Sequence, residues 1–382
     1  MKIGIIDDSL DNNVMLDFSQ IHKYKITKCQ VKTVCQTNDI VNSTHSTLCC
    51  KILNDNLRNP KNHVLIHVDI MNKNQLDIND FIIALEFLFS NQIDVLCLSI
   101  GTTILSKQKE IYPLIKKMYD SGITIIAASS NANLITMPAA FQEVIGTIAL
   151  PVEHFCCQKI YAIPDNDLHV DCGTVLDSNI GNSFSAPRVL ANLLNKVDAL
   201  CEESSFSCSR NLINQFLAQG ETCNDRQINV LSEALLPKKI INPPIILIES
   251  DDISIFSNVL NCLTKIFGYE CVCITDNNSS SDDFRIINYN KQNFEQQINI
   301  SFHRNVDLLL LNSNILLTFP NIVDTTDCCW IHVYRNSMKL TVCNQVIHNY
   351  SKHEIESICI VAIYCFNLLT NNAYQKKIER YP

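Results

Sequence analysis

Gly181-Asn182-Ser183-Phe184-Ser185-Ala186-Pro187-Arg188-Val189 sets a serine in a small-residue turn at the start of a predicted helix, Ser183 to about Leu200. A hydroxyl there lies at the positive end of the helix dipole, beside backbone N–H groups without intrahelical partners. An acyl-transfer nucleophile is well served by that position, because the same N–H groups can hold the oxyanion its attack creates. Pro187 fits a helix start, where a proline sacrifices little intrahelical bonding. Taken singly, a serine before a helix is an N-cap. Its weight here comes from three other segments.

Lys2-Ile3-Gly4-Ile5-Ile6-Asp7-Asp8 reads as a short strand, apolar on both faces and ending in carboxylates. Such runs suit a parallel sheet covered by helices, whose sites lie at the carboxyl ends of the strands. Asp7 is therefore placed to orient a histidine. His45, in Asn42-Ser43-Thr44-His45-Ser46-Thr47-Leu48-Cys49-Cys50, leads into an apolar, helical run. Gly122-Ile123-Thr124-Ile125-Ile126-Ala127-Ala128-Ser129-Ser130-Asn131 is another buried strand, ending in an amide able to donate to an oxyanion. A carboxylate, an imidazole, a hydroxyl and an amide, each at the edge of an element, make an acyl-transfer constellation.

These segments resemble the subtilisin-like serine proteases, or subtilases. Ile5-Ile6-Asp7-Asp8-Ser9-Leu10-Asp11 is similar to that family's Val-Ile-Asp-Thr-Gly-Ile-Asp, and His45 to Ile52 is similar to its His-Gly-Thr-His-Val-Ala-Gly-Ile. The strand ending in Asn131 resembles Val-Val-Ala-Ala-Gly-Asn, and Gly181 to Pro187 resembles Gly-Thr-Ser-Met-Ala-Ala-Pro. Ile93 to Gly101 resembles the strand ending Ser-Leu-Gly, and Met137-Pro138-Ala139-Ala140 resembles Tyr-Pro-Ala-Ser. The order Asp, His, Ser is also the family's. The likeness spans roughly residues 1–202.

The resemblance implies that Ser183 attacks the carbonyl, His45 moves the proton, and Asp7 holds the imidazole. Asn131 and the Ser183 N–H would stabilise the oxyanion. An extended peptide would pair with Ser99-Ile100-Gly101 and Ala128-Ser129-Ser130. No metal or organic cofactor is required, and no calcium-ligand loop matching the family's is found. Family glycines are replaced by Ser9, Ser46, Lys51 and Ser130, and the second histidine of the His motif by Leu48. Ser130 would line the pocket for the residue before the cleaved bond and narrow it. Cys49 stands where some family members carry a cysteine behind the histidine, which implies sensitivity to bulky thiol reagents. Asp8 reads as a capping or solvated carboxylate, and His63, His67 and His169 as structural.

The chain has 382 residues, 47% of them hydrophobic, enough for two sizeable cores. Its net charge of −9 disfavours a nucleic-acid partner. The longest apolar run, Ile358 to Phe366 followed by Leu368 and Leu369, is too short to span a bilayer. The 19 cysteines are scattered rather than framed as disulfides, and Met1 leads almost directly into the first core strand. The expectation is a reduced, cytoplasmic protein without export signal or propeptide, acting on a peptide or protein substrate such as a precursor.

Alternation of strands (2–7, 63–70, 94–100, 123–129, 144–150) with helices (46–55, 79–91, 108–120, 183–200) predicts a parallel α/β sheet with helices on both faces, subtilisin-like in class. The domain expectation is a peptidase domain over 1–202, a helical connector over 203–240 with helices at 208–219 and 226–235, and an accessory α/β domain over 241–382. In the last, strands are expected at 245–249, 271–275, 306–311 and 329–334, helices at 253–267 and 353–369, and a polar loop at 276–283. Glu249, Asp251 and Asp252 follow its first strand, where an α/β domain places a ligand, but a solvated loop is the favoured reading of them. Two functions remain open: a serine endopeptidase, and an inactive peptide-binding module that keeps the fold.

Overall fold

From Ile3 to Asp7 every residue is buried, so the first strand, β1 (Lys2–Asp7), is covered on both faces. That is the condition in which an unbroken apolar run suits a parallel sheet. The computed structural model describes residues 1–34, 44–72, 75–157, 159–164, 166, 168–176, 181–200, 221, 223–235, 245–250, 253–275, 284–288, 308–312, 329–333, 337–342, 345–351 and 359. It divides into two units, Met1–Lys238 and Lys239–Pro382.

In the first unit the strands after β1 are β2 (Gln20–Thr27), β3 (Gln30–Thr33), β4 (Val64–Asp69), the short ribbon β5 (Met71–Asn72) and β6 (Gln75–Leu76), β7 (Val95–Leu98), β8 (Thr124–Ala128), β9 (Ile145–Leu150), β10 (Ile160–Ala162) and β11 (Cys172–Val175). Nine of them form one sheet in the order β10-β11-β9-β8-β7-β1-β4-β2-β3. The seven inner strands run parallel, and the edge strands β3 and β10 pair antiparallel to their neighbours. The chain builds β4 on one side of β1 and then crosses to β7 on the other. The strand order reverses there, and in open α/β sheets the crevice beyond such carboxyl ends holds the ligand.

Helices α1 (His45–Asn56), α2 (Ile78–Ser90), α3 (Gln108–Asp120) and α4 (Ser185–Leu200) cover the two faces. Side chains alternate along a strand. Ile3 and Ile5 join Cys50 and Leu53 of α1 and Val189, Leu190 and Leu194 of α4 in one core. Gly4, between them, faces Leu88 of α2 and Ile93 on the opposite side, where a Cβ would come within 2.9 Å of the Ile93 side chain. α3 packs beside α2.

Three features of this unit depart from the sequence expectation. The parallel strands β2 and β11 lie outside the predicted set, because β2 is a mixed polar run (Gln-Ile-His-Lys-Tyr-Lys-Ile-Thr) with only one buried residue, and β11 is short. The helix after the serine begins at Ser185 rather than Ser183, and Asn182–Phe184 form a preceding 3₁₀ turn closed by Phe184 N–H to the Gly181 carbonyl at 3.2 Å. Finally, α5 (Asp225–Ala234) packs Leu231 among Ile148, Leu150, Phe155 and Tyr161, so this helix belongs to the core of the first unit. The helix expected at 208–219 lies outside the described residues.

The second unit has its own sheet of β12 (Ile245–Glu249), β13 (Cys271–Thr275), β14 (Ile286–Asn288), β15 (Leu308–Asn312), β16 (Cys329–Val333), β17 (Ser337–Val342) and β18 (Gln345–Ser351). Their order is β14-β13-β15-β12-β16-β17-β18, with the first five parallel and the last two added antiparallel. α6 (Ile253–Phe267) lays Phe256, Val259, Leu260 and Leu263 against Ile246, Ile248, Cys273 and Leu310. Gly268 ends it with φ of +67°, and its N–H reaches the Thr264 carbonyl at 2.9 Å. Glycine suits that left-handed cap because it carries no Cβ. Cys359 is helical and buried, but the rest of the helix expected at 353–369, the loop at 276–283, Asp251 and Asp252 lie outside the described residues. Among the described residues no helix is long and apolar enough to cross a membrane.

Candidate active site

Asp7 is the last residue of β1 and continues the row of Ile3 and Ile5, so its side chain faces α1 and α4. His45 is the first residue of α1, whose N-cap is Thr44; the Thr44 hydroxyl accepts from Thr47 N–H at 3.3 Å and lies 2.6 Å from the Ser9 carbonyl. This cap fixes where α1 begins and so where the imidazole stands. His45 Nδ1 lies 2.8 and 2.9 Å from the two Asp7 oxygens, and Nε2 lies 2.9 Å from Ser183 Oγ. One carboxylate, one imidazole and one hydroxyl from three distant parts of the chain thus share a continuous hydrogen-bonded line.

Asp8 faces the other way round the helix end. Its oxygens accept from the His45 N–H at 3.2 Å and the Ser46 N–H at 2.7 Å, so it caps α1. Burial is the main reason its pKa is raised, with the Asp7 charge adding and the Ser46 and His45 N–H groups opposing. For His45, burial favours the neutral ring, but the Asp7 hydrogen bond and the charges of Asp7 and Asp8 outweigh it, and the pKa rises above 6.5. The resulting stabilisation is full below pH 6.5 and is lost as pH climbs through the raised value.

Neighbours restrain the ring. Phe184 packs on it with centroids 4.8 Å apart, and Cys49 Sγ lies 3.9 Å from Nδ1. Asp7, His45 and Cys49 are a group whose ligand atoms all lie within 4.8 Å of one another. A metal there would need the thiolate, whereas burial, seconded by the Asp7 charge, pushes the Cys49 pKa well above 9.0. It would also have to displace the Nδ1 hydrogen bonds, so the donor set as it stands suits a hydrogen-bonded pair rather than an ion. Behind α1, Ser46 Oγ lies 2.6 Å from Nε2 of buried His67, whose pKa is lowered to about 4 by burial. Ser46 here ties the helix start to β4.

Asn131 follows β8 and is exposed, with its carboxamide lying over Gly181, two residues before Ser183. A Cβ on Gly181 would come 2.7 Å from Asn131 Cγ and 2.8 Å from Nδ2. Ser130 spends its hydroxyl on its own loop, accepting from Ala132 N–H at 3.1 Å and Leu134 N–H at 3.3 Å. The Ser129 N–H donates to the Thr147 carbonyl at 2.9 Å and the Ser130 N–H to Thr136 Oγ1 at 2.9 Å. The N–H groups of Ser129 and Ser130 are therefore taken within the fold. Ser99 follows β7 and is buried, Ile100 and Gly101 are half-buried, and the segment is held by Thr102 pairing with Met137 in both directions at 2.9 and 2.8 Å.

Asn182 is the residue that reading the sequence passed over. It is buried beside Ser183, with Nδ2 donating to the Ser130 carbonyl at 2.7 Å and Oδ1 accepting from Ala149 N–H at 3.1 Å. Its position next to Ser183 was the one available signal.

No protein-family model matches the chain, and no curated protein matches it. Among solved structures it is similar to the prenylagaramide maturation protease PagA, at 16% identity and TM-score 0.44, over 62% of this chain and 89% of that one. It is also similar to a lanthipeptide protease, at 14% and 0.43 over 56% and 78%. The nisin leader peptidase NisP from Lactococcus lactis is similar at 13% and 0.44 over 60% and 86%.

Proposed function

We propose that this chain is a serine endopeptidase acting on peptide or protein chains. The observation that supports this is the hydrogen-bonded line from Asp7 through His45 to Ser183, at 2.8 and 2.9 Å, beyond the carboxyl end of β1. In this reading Nδ1–H of His45 donates to Asp7, leaving Nε2 to accept the Ser183 proton as Oγ attacks the scissile carbonyl. The imidazolium then protonates the departing amine, stabilised by Asp7, and water repeats the sequence to release the acyl group. The Ser183 N–H and the Asn131 carboxamide donate to the oxyanion, a contribution of about 2.7–4 kcal/mol for a single such donor.

A fluorophosphonate tests the reading directly. Ser183 is expected to be phosphonylated in the folded protein and Ser183→Ala to stay unlabelled. Folded wild-type protein that does not react would favour the peptide-binding module instead. Because His45 must be neutral to act as base, the acid limb of the labelling rate is expected above pH 6.5. Asp8→Asn removes one of the charges that raise it, so the limb moves to lower pH; an unmoved limb would show that Asp8 acts only as a cap. Mercurial modification of Cys49 is slow, since the thiol is buried and protonated, but once made it crowds the imidazole and abolishes labelling. Retained labelling in protein shown by mass to be modified at Cys49 would count against that.

A further inference from the structure

The ladder between β8 and β9 runs through Ile126–Ile145, Ala127–Gly146 and Ala128–Thr147, and its last bond is Ser129 N–H to Thr147 carbonyl at 2.9 Å. Beyond it the chain leaves β8 for the loop that carries Asn131. The next inward donor of β9, Ala149 N–H, meets the Asn182 side-chain oxygen at 3.1 Å, while the Asn182 amide donates to the Ser130 carbonyl at 2.7 Å. A carboxamide has one acceptor and donors in the geometry of a peptide group. Asn182 is thus inserted as a surrogate peptide where two strands diverge. A hydroxyl, as in the threonine of the resembled motif, is a single atom and spans the gap poorly. An aspartate would set a carboxylate against the Ser130 carbonyl.

Fixing the Ser130 carbonyl fixes the plane of the Ser130–Asn131 peptide, from which the Asn131 side chain projects. The same turn meets that side chain again at Gly181. Among the described contacts the Ser130 carbonyl has one other donor, Asn133 N–H at 3.1 Å, which holds the loop to itself but not to the nucleophile. We infer that Asn182 is a positioning residue that keeps the Asn131 carboxamide in register with Ser183, so that oxyanion donor and nucleophile move as one body. This rests on the endopeptidase reading.

The experiment is a double-mutant cycle on the phosphonylation of Ser183 by a fluorophosphonate, with Asn182→Ala and Asn131→Ala singly and together. The limiting rate is separated from half-saturation, and folding is checked by circular dichroism and cooperative thermal unfolding. Loss of one oxyanion donor lowers the limiting rate by about 100-fold or more in Asn131→Ala. Asn182→Ala is expected to lower it by roughly 10- to 100-fold with half-saturation unchanged, yet by less than about 3-fold when Asn131 is already alanine. Asn182→Asp, of the same shape, is expected to behave like Asn182→Ala. Losses that multiply in the double variant, or that fall on half-saturation, overturn the inference while leaving the endopeptidase reading intact. Unlabelled wild-type protein withdraws both. Loss of cooperative unfolding in both Asn182→Ala and Asn182→Asp assigns the carboxamide to fold stability and also overturns it.

Discussion

Peptide-bond hydrolysis by Ser183→Ala is expected to fall by about 10⁶-fold, which is about 8 kcal/mol of barrier. The alanine removes the atom that forms the new bond, and no other hydroxyl is recorded within hydrogen-bonding distance of His45 Nε2 among the described contacts. His45→Ala is expected to cost about as much, because an undeprotonated serine is a poor nucleophile, and the double variant little more. Asp7→Asn should cost about 10⁴-fold. The amide can present its NH₂ to Nδ1, which then becomes the acceptor and leaves Nε2 protonated, facing Ser183 with the wrong tautomer. Release of new amino termini from casein or a peptide library measures all three. Losses under tenfold in properly folded Ser183→Ala would end the proposal.

Gly181→Ala is expected to lower the limiting rate of acylation by about 10²–10³-fold, although it adds one methyl group two residues from the serine. The backbone at Gly181, with φ of −66° and ψ of 172°, is one any residue adopts, so strain contributes nothing. The cost is steric. The new Cβ would lie 2.7 Å from Asn131 Cγ and 2.8 Å from Nδ2, and something must shift at such distances. The Asn131 side chain is exposed and yields by rotating about its own bonds from a backbone that stays in place, whereas the turn is held by Asn182 and by Ser185 Oγ, 2.6 Å from the Asn182 carbonyl. The carboxamide therefore leaves, and with it one oxyanion donor. In an Asn131→Ala background the space is already vacant, so adding Gly181→Ala should change the rate by less than about 3-fold. A full further loss there would place the effect in the turn itself.

How much of this was readable depends on where each signal resides. The inner strands were legible where burial is continuous, as in β1, β7 and β8. β2 escaped because its side chains are mostly part-exposed, which breaks both the apolar run and strict alternation. The residues of the hydrogen-bonded line were legible in part because Asp7 ends β1 and His45 begins α1, where side chains reach a crevice, whereas Ser183 lies in the 3₁₀ turn before α4 and Asn131 in the loop after β8. Asn182 was not, because its two partners lie 52 and 33 residues away and are backbone groups. A bond to a main-chain atom asks nothing of the partner's residue type and leaves no trace in its sequence. The start of α4 at Ser185 is of the same kind, since Asn182 in the turn before it bonds Ala149 of β9 and the Ser130 carbonyl, and Ser185 itself bonds Thr147 of β9.

By itself, the order of residues determined the alternation of buried strands with amphipathic helices and the chemical types available at their ends. What makes the adjacent carboxylates Asp7 and Asp8 meet different partners belongs to the tertiary structure. Asp7 shares the pleat face of Ile3 and Ile5 and so meets the imidazole under α1, while Asp8 is taken by the N–H groups of His45 and Ser46. Two neighbouring, chemically identical residues become the partner of an imidazole and the cap of a helix, because Asp7 ends the strand on the face of Ile3 and Ile5 while Asp8, just beyond the strand, meets the N–H groups that open α1.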